Sequence, residues 1–350
     1  AMAVITTTAM PPTLRWALSR LPLRKEEKLR LEREDYERNA FVPNLERILL
    51  AVDRSANGQF ASRLVGLLAG SRGMPVTLLD IAGDGNGSKG RNKSDGEPSE
   101  TPADANREAA KSVRAAAAAA SGEQRDVPKV DVIVRQHDAA PEEAIATEAR
   151  RGYDLLVVGV EQTEGKRGGF DDHLSKLVSQ FEGSIAIVMA RGAQADDPTA
   201  PVSKILIPVT GNENARRGAE VAITLAKAAQ ADALALTIIE KGAKNKQQLR
   251  RETQAVSAEI EKIADYLRAK VKTSTRSDED AGAAILSAIA RGKVDLVAIG
   301  VSRRPGDKLS FGGIADTLLK SAPCSLMFVA PQARAAAKSV PKGPEKPAAA

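Results

Sequence analysis

"DLVAIGVSRRPGDKLSFGG", residues 295–313, opens on an apolar run that ends at Gly300, continues as a loop with Arg303, Arg304 and Gly306, and closes on Gly312-Gly313. Residues 154–170, "DLLVVGVEQTEGKRGGF", read almost the same. An uninterrupted apolar run bounded by glycine predicts a strand buried on both faces. The residues after each loop predict a helix. A glycine-rich loop between a strand and a helix start either cradles a phosphate with its backbone N–H groups or only turns the chain.

Outward from these two stretches the chain repeats itself. Residues 44–53, 75–83, 130–138, 153–160 and 184–190 read as strands, with helices at 61–70, about 106–121, 141–152 and 171–181. After the loop 191–201 the order restarts. Strands fall at 203–210, 233–240, 270–276, 294–301 and 325–331, and helices at 214–230, 245–270, 280–292 and 313–322. Strands that alternate with helices, without two-residue hairpin turns, predict a parallel sheet covered on both faces. The fold class expected is α/β, with two tandem doubly wound, Rossmann-like domains, each a five-stranded parallel sheet, paired as a pseudo-dimer. The domains run over 45–191, with a disordered insertion at about 83–106, and over 203–331. A basic tail, 332–350, follows and reads as disordered.

With 350 residues the chain can bury two ordinary cores. The net charge of +6 is modest and the signs are interspersed, so charge gives no reason to expect a nucleic-acid partner. One cysteine, Cys324, excludes an internal disulfide and reads as a core residue. His137 and His173 show no recognisable partners in sequence and read as surface residues. No metal site is expected. The sequence shows no Ser-His-Asp spacing, no carboxylate pair on one helical face and no complete Walker loop, so no enzyme is expected.

The N-terminus is unlike the rest. "AMAVITTTAMPP", residues 1–12, is apolar and uncharged; it lacks the basic start of a signal peptide and reads either as the end of a truncated transmembrane helix or as a floppy N-terminus. Residues 13–44 form a charged helical connector, read as two short amphipathic helices interrupted at Pro22.

Five strands and four helices per repeat, with a glycine loop after the fourth strand, resemble the universal stress protein family. There the loop has the form G-x-x-G-x9-G-[ST]. It holds the phosphates of ATP together with the helix that follows, and an Asp closing the first strand meets the adenosine end. Residues 295–329 carry the better match: Gly300 stands in the first-glycine place, Arg303 replaces the second glycine, Gly312-Gly313 stand for Gly-Ser or Gly-Thr, and the spacing is one residue short. Thr210 occupies the place of the first-strand Asp. The first repeat keeps that Asp, as Asp53, and Gly159, but loses the later half of the loop.

The resemblance implies ATP or another adenine nucleotide as ligand, bound by Gly300, Arg303, Arg304, Gly306, Gly312, Gly313, Thr210 and Arg276 in the second repeat and by Asp53 and Gly159 in the first. Asp53 can equally cap the helix after it, and each loop can equally be a plain turn. Arg276 is read as closing the third strand of its repeat, with Arg135 as its counterpart.

Residues 2–23 and the charged stretch leading to "PNLERILLAVDRS" resemble the junction in bacterial monovalent cation:proton antiporters between the last membrane helix and a tail of tandem universal stress domains. This second resemblance implies a sensing regulatory region at the cytoplasmic face of the inner membrane, with the transmembrane antiporter core upstream on the same polypeptide. Its partners would be the other domain of the pair, a second copy in a homodimer, and an adenine nucleotide or cyclic dinucleotide. A free-standing stress protein, and a structural tail that no longer binds nucleotide, are the alternatives.

Overall fold

The computed structural model of the chain describes residues 25–81, 102–121, 129–137, 139–165, 168–241, 246–304 and 308–332. The expected membrane-helix end at 1–12 and the tail from 333 lie outside them. The chain divides at Asn44 into two units. The described part of the first unit is one helix, α1 (Lys25–Asn39), and a short 3-10 turn at Val42–Asn44. Residues 13–24 also lie outside the described residues, so of the two expected short helices one is seen. Acidic Glu26 and Glu27 open α1 and Arg38 closes it, each sign matching the helix dipole. The Asn44 side chain donates to the Ala40 carbonyl at 2.6 Å, meeting an acceptor the helix end leaves open.

The second unit holds both repeats. Repeat 1 runs β1 (Ile48–Val52), α2 (Ala56–Gly70), β2 (Val76–Asp80), α3 (Pro102–Ser121), β3 (Val132–Arg135), α4 (Pro141–Ala149), β4 (Leu155–Gly159), α5 (Asp172–Ser179) and β5 (Ser184–Met189). After a four-residue helix, α6 (Ala193–Asp196), repeat 2 runs β6 (Lys204–Val209), α7 (Glu213–Ala228), β7 (Asp232–Glu240), α8 (Lys246–Leu267), β8 (Val271–Asp278), α9 (Ala281–Gly292), β9 (Leu296–Gly300), α10 (Gly313–Ser321) and β10 (Ser325–Ala330). Helix α3 begins at Pro102, inside the segment expected to be a disordered insertion; residues 82–101 lie outside the described residues.

All ten strands form one sheet in the order β3-β2-β1-β4-β5-β10-β9-β6-β7-β8. Within each repeat every pairing is parallel; the two halves join through the antiparallel pair β5–β10, with Ile187 opposite Phe328. Helices on both faces explain the continuous burial of β1, β4, β5 and β10. A dyad relates the halves in atomic detail. The Arg191 N–H donates to Ser325 Oγ at 3.0 Å, and the Gln332 N–H donates to Ser184 Oγ at 3.0 Å.

The Asp that opens each repeated stretch has a structural task. Asp154 Oδ2 accepts from the Glu46 and Arg47 N–H groups, and Asp295 Oδ2 accepts from those of Ser203 and Lys204. Each clamps the start of its first strand to the fourth. At the dyad Phe170, Phe311 and Phe328 meet, with edge-on contacts at 5.1 and 5.5 Å between ring centroids. Cys324 is buried beside this seam, and burial pushes its thiol up to about 11.

Candidate functional site

In each repeat the chain leaves the first strand on one side for the second and third, then crosses to the other side for the fourth. The first and fourth strands therefore diverge at their carboxyl ends, where open α/β sheets bind ligands. In repeat 2 this crevice is a cleft of about 280 Å³. That is near the lower end of small-molecule sites, which span about 300–1,000 Å³. Pro208, Leu236, Ile238 and Ile299 give it an apolar floor. Thr210, Asn212, Ser302 and Arg304 supply polar groups. Among the described residues lining it there is no carboxylate, and no group of three His, Cys, Asp or Glu suited to a metal occurs among the described residues.

The loop after β9 forms the rim. The Arg304 N–H donates to the Ser310 carbonyl at 2.9 Å and the Gly312 N–H to Ser310 Oγ at 3.3 Å, so the loop folds back on itself. Gly312 sits at φ +92°, which strains any residue with a side chain, and a Cβ there would lie 3.3 Å from Arg304 Nη2. The guanidinium is thus packed beside the start of α10. The Asp316 N–H already closes onto the Gly312 carbonyl. The earlier N–H groups, of Gly313, Ile314 and Ala315, have no carbonyl within the helix to meet. All three residues line the cleft together with Arg304.

The expected site residues separate accordingly. Thr210, Gly300, Arg304, Gly312 and Gly313 line one cleft. Arg303 and Arg304 are both exposed, but only Arg304 is among the lining residues. Gly306 lies outside the described residues. Arg276 does not close its strand, because β8 runs on to Asp278. It pairs with Ile238, a floor residue, and so stands on the cleft face one strand further out; its Nη1 is buried without a hydrogen-bond partner. Register also changes its counterpart. Arg135 pairs with Leu79 as Ser274 pairs with Leu236, so the repeat 1 position matching Arg276 is His137, not Arg135.

Gly300 has a packing role as well as a place in the cleft. A Cβ on it would lie 2.0 Å from the Asn214 carbonyl oxygen, and one on Gly218 would lie 2.3 Å from Gly300 Cα. The strand end and the first turns of α7 touch backbone to backbone. Gly159 does the same in repeat 1, where a Cβ would lie 2.5 Å from the Asn57 oxygen and 2.5 Å from Ala61 Cβ. Both glycines are required by helix-to-strand packing, whatever binds beside them.

Asp53 is engaged internally. Its Oδ1 accepts from the Ser55 N–H at 3.0 Å and from the Ser55 hydroxyl, and its Oδ2 accepts from the Glu161 N–H at 2.7 Å. It ties the end of β1 to the loop after β4, across the crevice that is open in repeat 2. The helix cap itself is Ser55, which accepts from the Gly58 N–H. At the matching place Thr210 makes no such tie, and Ser302 Oγ accepts from the Asn214 amide instead.

Both histidines have partners that sequence reading missed. His137 Nε2 lies 3.1 Å from Glu148, and His173 Nδ1 lies 3.4 Å from Glu142. Glu148 is completely buried on the cleft face of repeat 1, where Arg135, Arg151 and the Tyr153 hydroxyl also approach it. The matching position of repeat 2 is Ile289. That carboxylate explains why Arg135 is a paired, structural arginine.

A sequence profile of the universal stress protein family matches the chain twice, over residues 44–189 and 201–330. Among solved structures, a universal stress protein from Archaeoglobus fulgidus DSM 4304 is 13% identical, covering 83% of this chain and 100% of its own, at a TM-score of 0.51. A protein of unknown function from Pseudomonas aeruginosa PAO1 is 16% identical, covering 83% and 94%, at 0.50. The cytoplasmic domain of a prokaryotic cation chloride cotransporter is 11% identical, covering 82% and 96%, at 0.47, too loose a likeness to argue from. No curated protein matches the chain.

Proposed function

The chain belongs to the universal stress protein family, through two tandem copies of its domain, and from that premise we propose that it is a nucleotide-sensing regulatory region. The repeat 2 cleft takes one adenine nucleotide, with a phosphate at the N-terminus of α10 beside Arg304. One observation carries this reading: an apolar-floored cleft at the switch point of a parallel sheet, rimmed by a guanidinium and the open N–H groups of a helix start. No catalysis is proposed. No resident metal is proposed either. Equilibrium binding of ATP, AMP and cyclic di-AMP, with wild type and Arg304→Ala, tests the site. Binding that weakens at least tenfold in the variant supports it; equal binding by both removes Arg304 from it.

The proposal extends to a larger assembly. The charged connector 13–44 and the apolar residues 1–12 resemble the junction of a monovalent cation:proton antiporter, which favours a regulatory tail at the cytoplasmic face of the inner membrane. Occupancy of the cleft would bias transport through the connector, with the antiporter core and a second copy of the chain as partners. No helix among the described residues is long and apolar enough to cross a membrane. The reading frame upstream of Ala1 tests this part. About a dozen hydrophobic spans of ~20 residues each support it, and a start codon there with no such spans overturns it.

A further inference from the structure

The cleft of repeat 2 does not stand on repeat 2 alone. Its rim passes through Leu309 and Phe311, and both are seated on repeat 1. The buried Leu309 N–H donates to Ser175 Oγ at 3.2 Å; Ser175, on α5, is 7% exposed. One residue earlier, Lys308 Nζ lies 2.8 Å from Asp172 Oδ1, an exposed pair that adds direction more than strength. One face of the cleft is formed by Phe311, whose ring meets the edge of Phe170 from the first loop. Ser175 in turn donates to the Asp171 carbonyl at 2.9 Å, so its hydroxyl is fixed in orientation, with its lone pairs turned to the incoming N–H.

The phenylalanines of the two loops support each other, but the Leu309–Ser175 hydrogen bond has no counterpart at the matching position. The residue of repeat 1 that matches Leu309 is Gly168, and its N–H donates to the Gly165 carbonyl of its own loop at 2.9 Å. Both loops are tied internally, through Gly165 and Gly169 in repeat 1 and through Arg304 and Ser310 in repeat 2, but at this position only the repeat 2 loop hydrogen-bonds across the dyad. Between Ser310, which holds Arg304, and Gly312, which starts α10, the rim has little freedom to shift unless Leu309 shifts with it.

We infer that Ser175, with Phe170 behind it, is a positioning residue for the nucleotide cleft of repeat 2: repeat 1 serves as the fixed seat of its neighbour's phosphate loop. The inference rests on the reading of that cleft as a nucleotide site. Its test compares wild type, Ser175→Ala, Ser175→Thr and Phe170→Leu in the full chain by two readouts: calorimetric affinity for ATP and AMP, and amide hydrogen exchange of the peptide spanning Leu309–Gly313 without ligand. Ser175→Ala is expected to weaken binding on the order of fivefold, the equivalent of one buried hydrogen bond, and to speed exchange at Leu309–Gly313 while β6 and β7 keep wild-type protection. Ser175→Thr, which keeps the acceptor, should restore both, and Phe170→Leu should weaken binding with a hydroxyl at 175 still present. Unchanged exchange and affinity in Ser175→Ala would overturn the inference. Should wild type bind neither nucleotide, the cleft reading falls, and the exchange result alone decides whether Ser175 holds the loop.

Discussion

The two repeats share a fold and differ in their side-chain contacts at the same place. At the divergence of the first and fourth strands, repeat 1 has Asp53 bonded to the Glu161 N–H, and repeat 2 has Thr210 beside an open cleft. On the same sheet face repeat 1 buries Glu148 among Arg135, His137 and Arg151, while repeat 2 has Ile289 there and leaves a buried nitrogen of Arg276 without a partner. Repeat 1 thus sets a buried carboxylate among basic groups where repeat 2 has an apolar side chain. A buried nitrogen without a hydrogen-bond partner occurs in both, Arg135 Nε in repeat 1 and Arg276 Nη1 in repeat 2. Duplication permits such a difference between copies, and the continuous sheet fixes their relative geometry through β5 and β10.

The largest expected effect falls where the repeats are most alike. Phe328 is completely buried at the dyad and touches a phenylalanine from each loop. Phe328→Ala should cost about 3–5 kcal/mol in a denaturant titration. Two separate unfolding transitions in that variant would show that the seam is what makes the repeats unfold together.

Gly300→Ala and Gly159→Ala come next. Each Cβ would collide with backbone atoms that have little room to retreat, and each should cost about 1–3 kcal/mol. Equal losses in the two repeats support a packing role for both. A loss of nucleotide affinity without loss of stability in Gly300→Ala would instead make that glycine a ligand contact first.

Asp53→Ala separates the two repeats most sharply. The lost ties to Glu161 and Ser55 should lower stability by about 1–3 kcal/mol and leave nucleotide affinity unchanged. A fall in affinity would place Asp53 at a ligand after all. Arg304→Ala should do the opposite, weakening binding at least tenfold, about 1.4 kcal/mol, with little change in the unfolding midpoint. Arg303→Ala, one residue away and outside the cleft lining, should match wild type in both.

The smallest effect is at Cys324. Its thiol is held neutral by burial, with the folded value raised from 9.0 to about 11. A raised value means its contribution is intact below pH 9 and is lost as pH climbs from 9 to 11. Relative to Cys324→Ala, wild type should lose under about 1 kcal/mol up to pH 9.5 and more beyond it. Parallel stability curves for the two proteins across that range would show a thiol that ionises freely.

The fold was legible because strand burial is written in composition. Runs such as 154–160 and 294–301 admit no amphipathic reading, and their alternation with helices leaves few topologies. The site was legible in part. The glycine loop and Arg304 stood out by position, but three things needed three dimensions. Register decided that Arg276 matches His137, since a shift of two along an edge strand leaves no trace in sequence. Backbone proximity decided that Gly300 and Gly159 are packing residues. Hydrogen bonding decided that Asp53 is a tie, and that Ser175, an unremarked serine in the other repeat, holds the loop. Only a comparison of matching positions in the two halves, Asp53 with Thr210 and Glu148 with Ile289, signals the asymmetry beforehand.

The most direct measurement is the stoichiometry of binding. ATP, AMP and cyclic di-AMP are titrated separately into the full chain by calorimetry. One site per chain for the tightest of them, lost in Arg304→Ala and kept in Asp53→Ala, is the result this account predicts. Two sites per chain, or none at millimolar ligand, would contradict it.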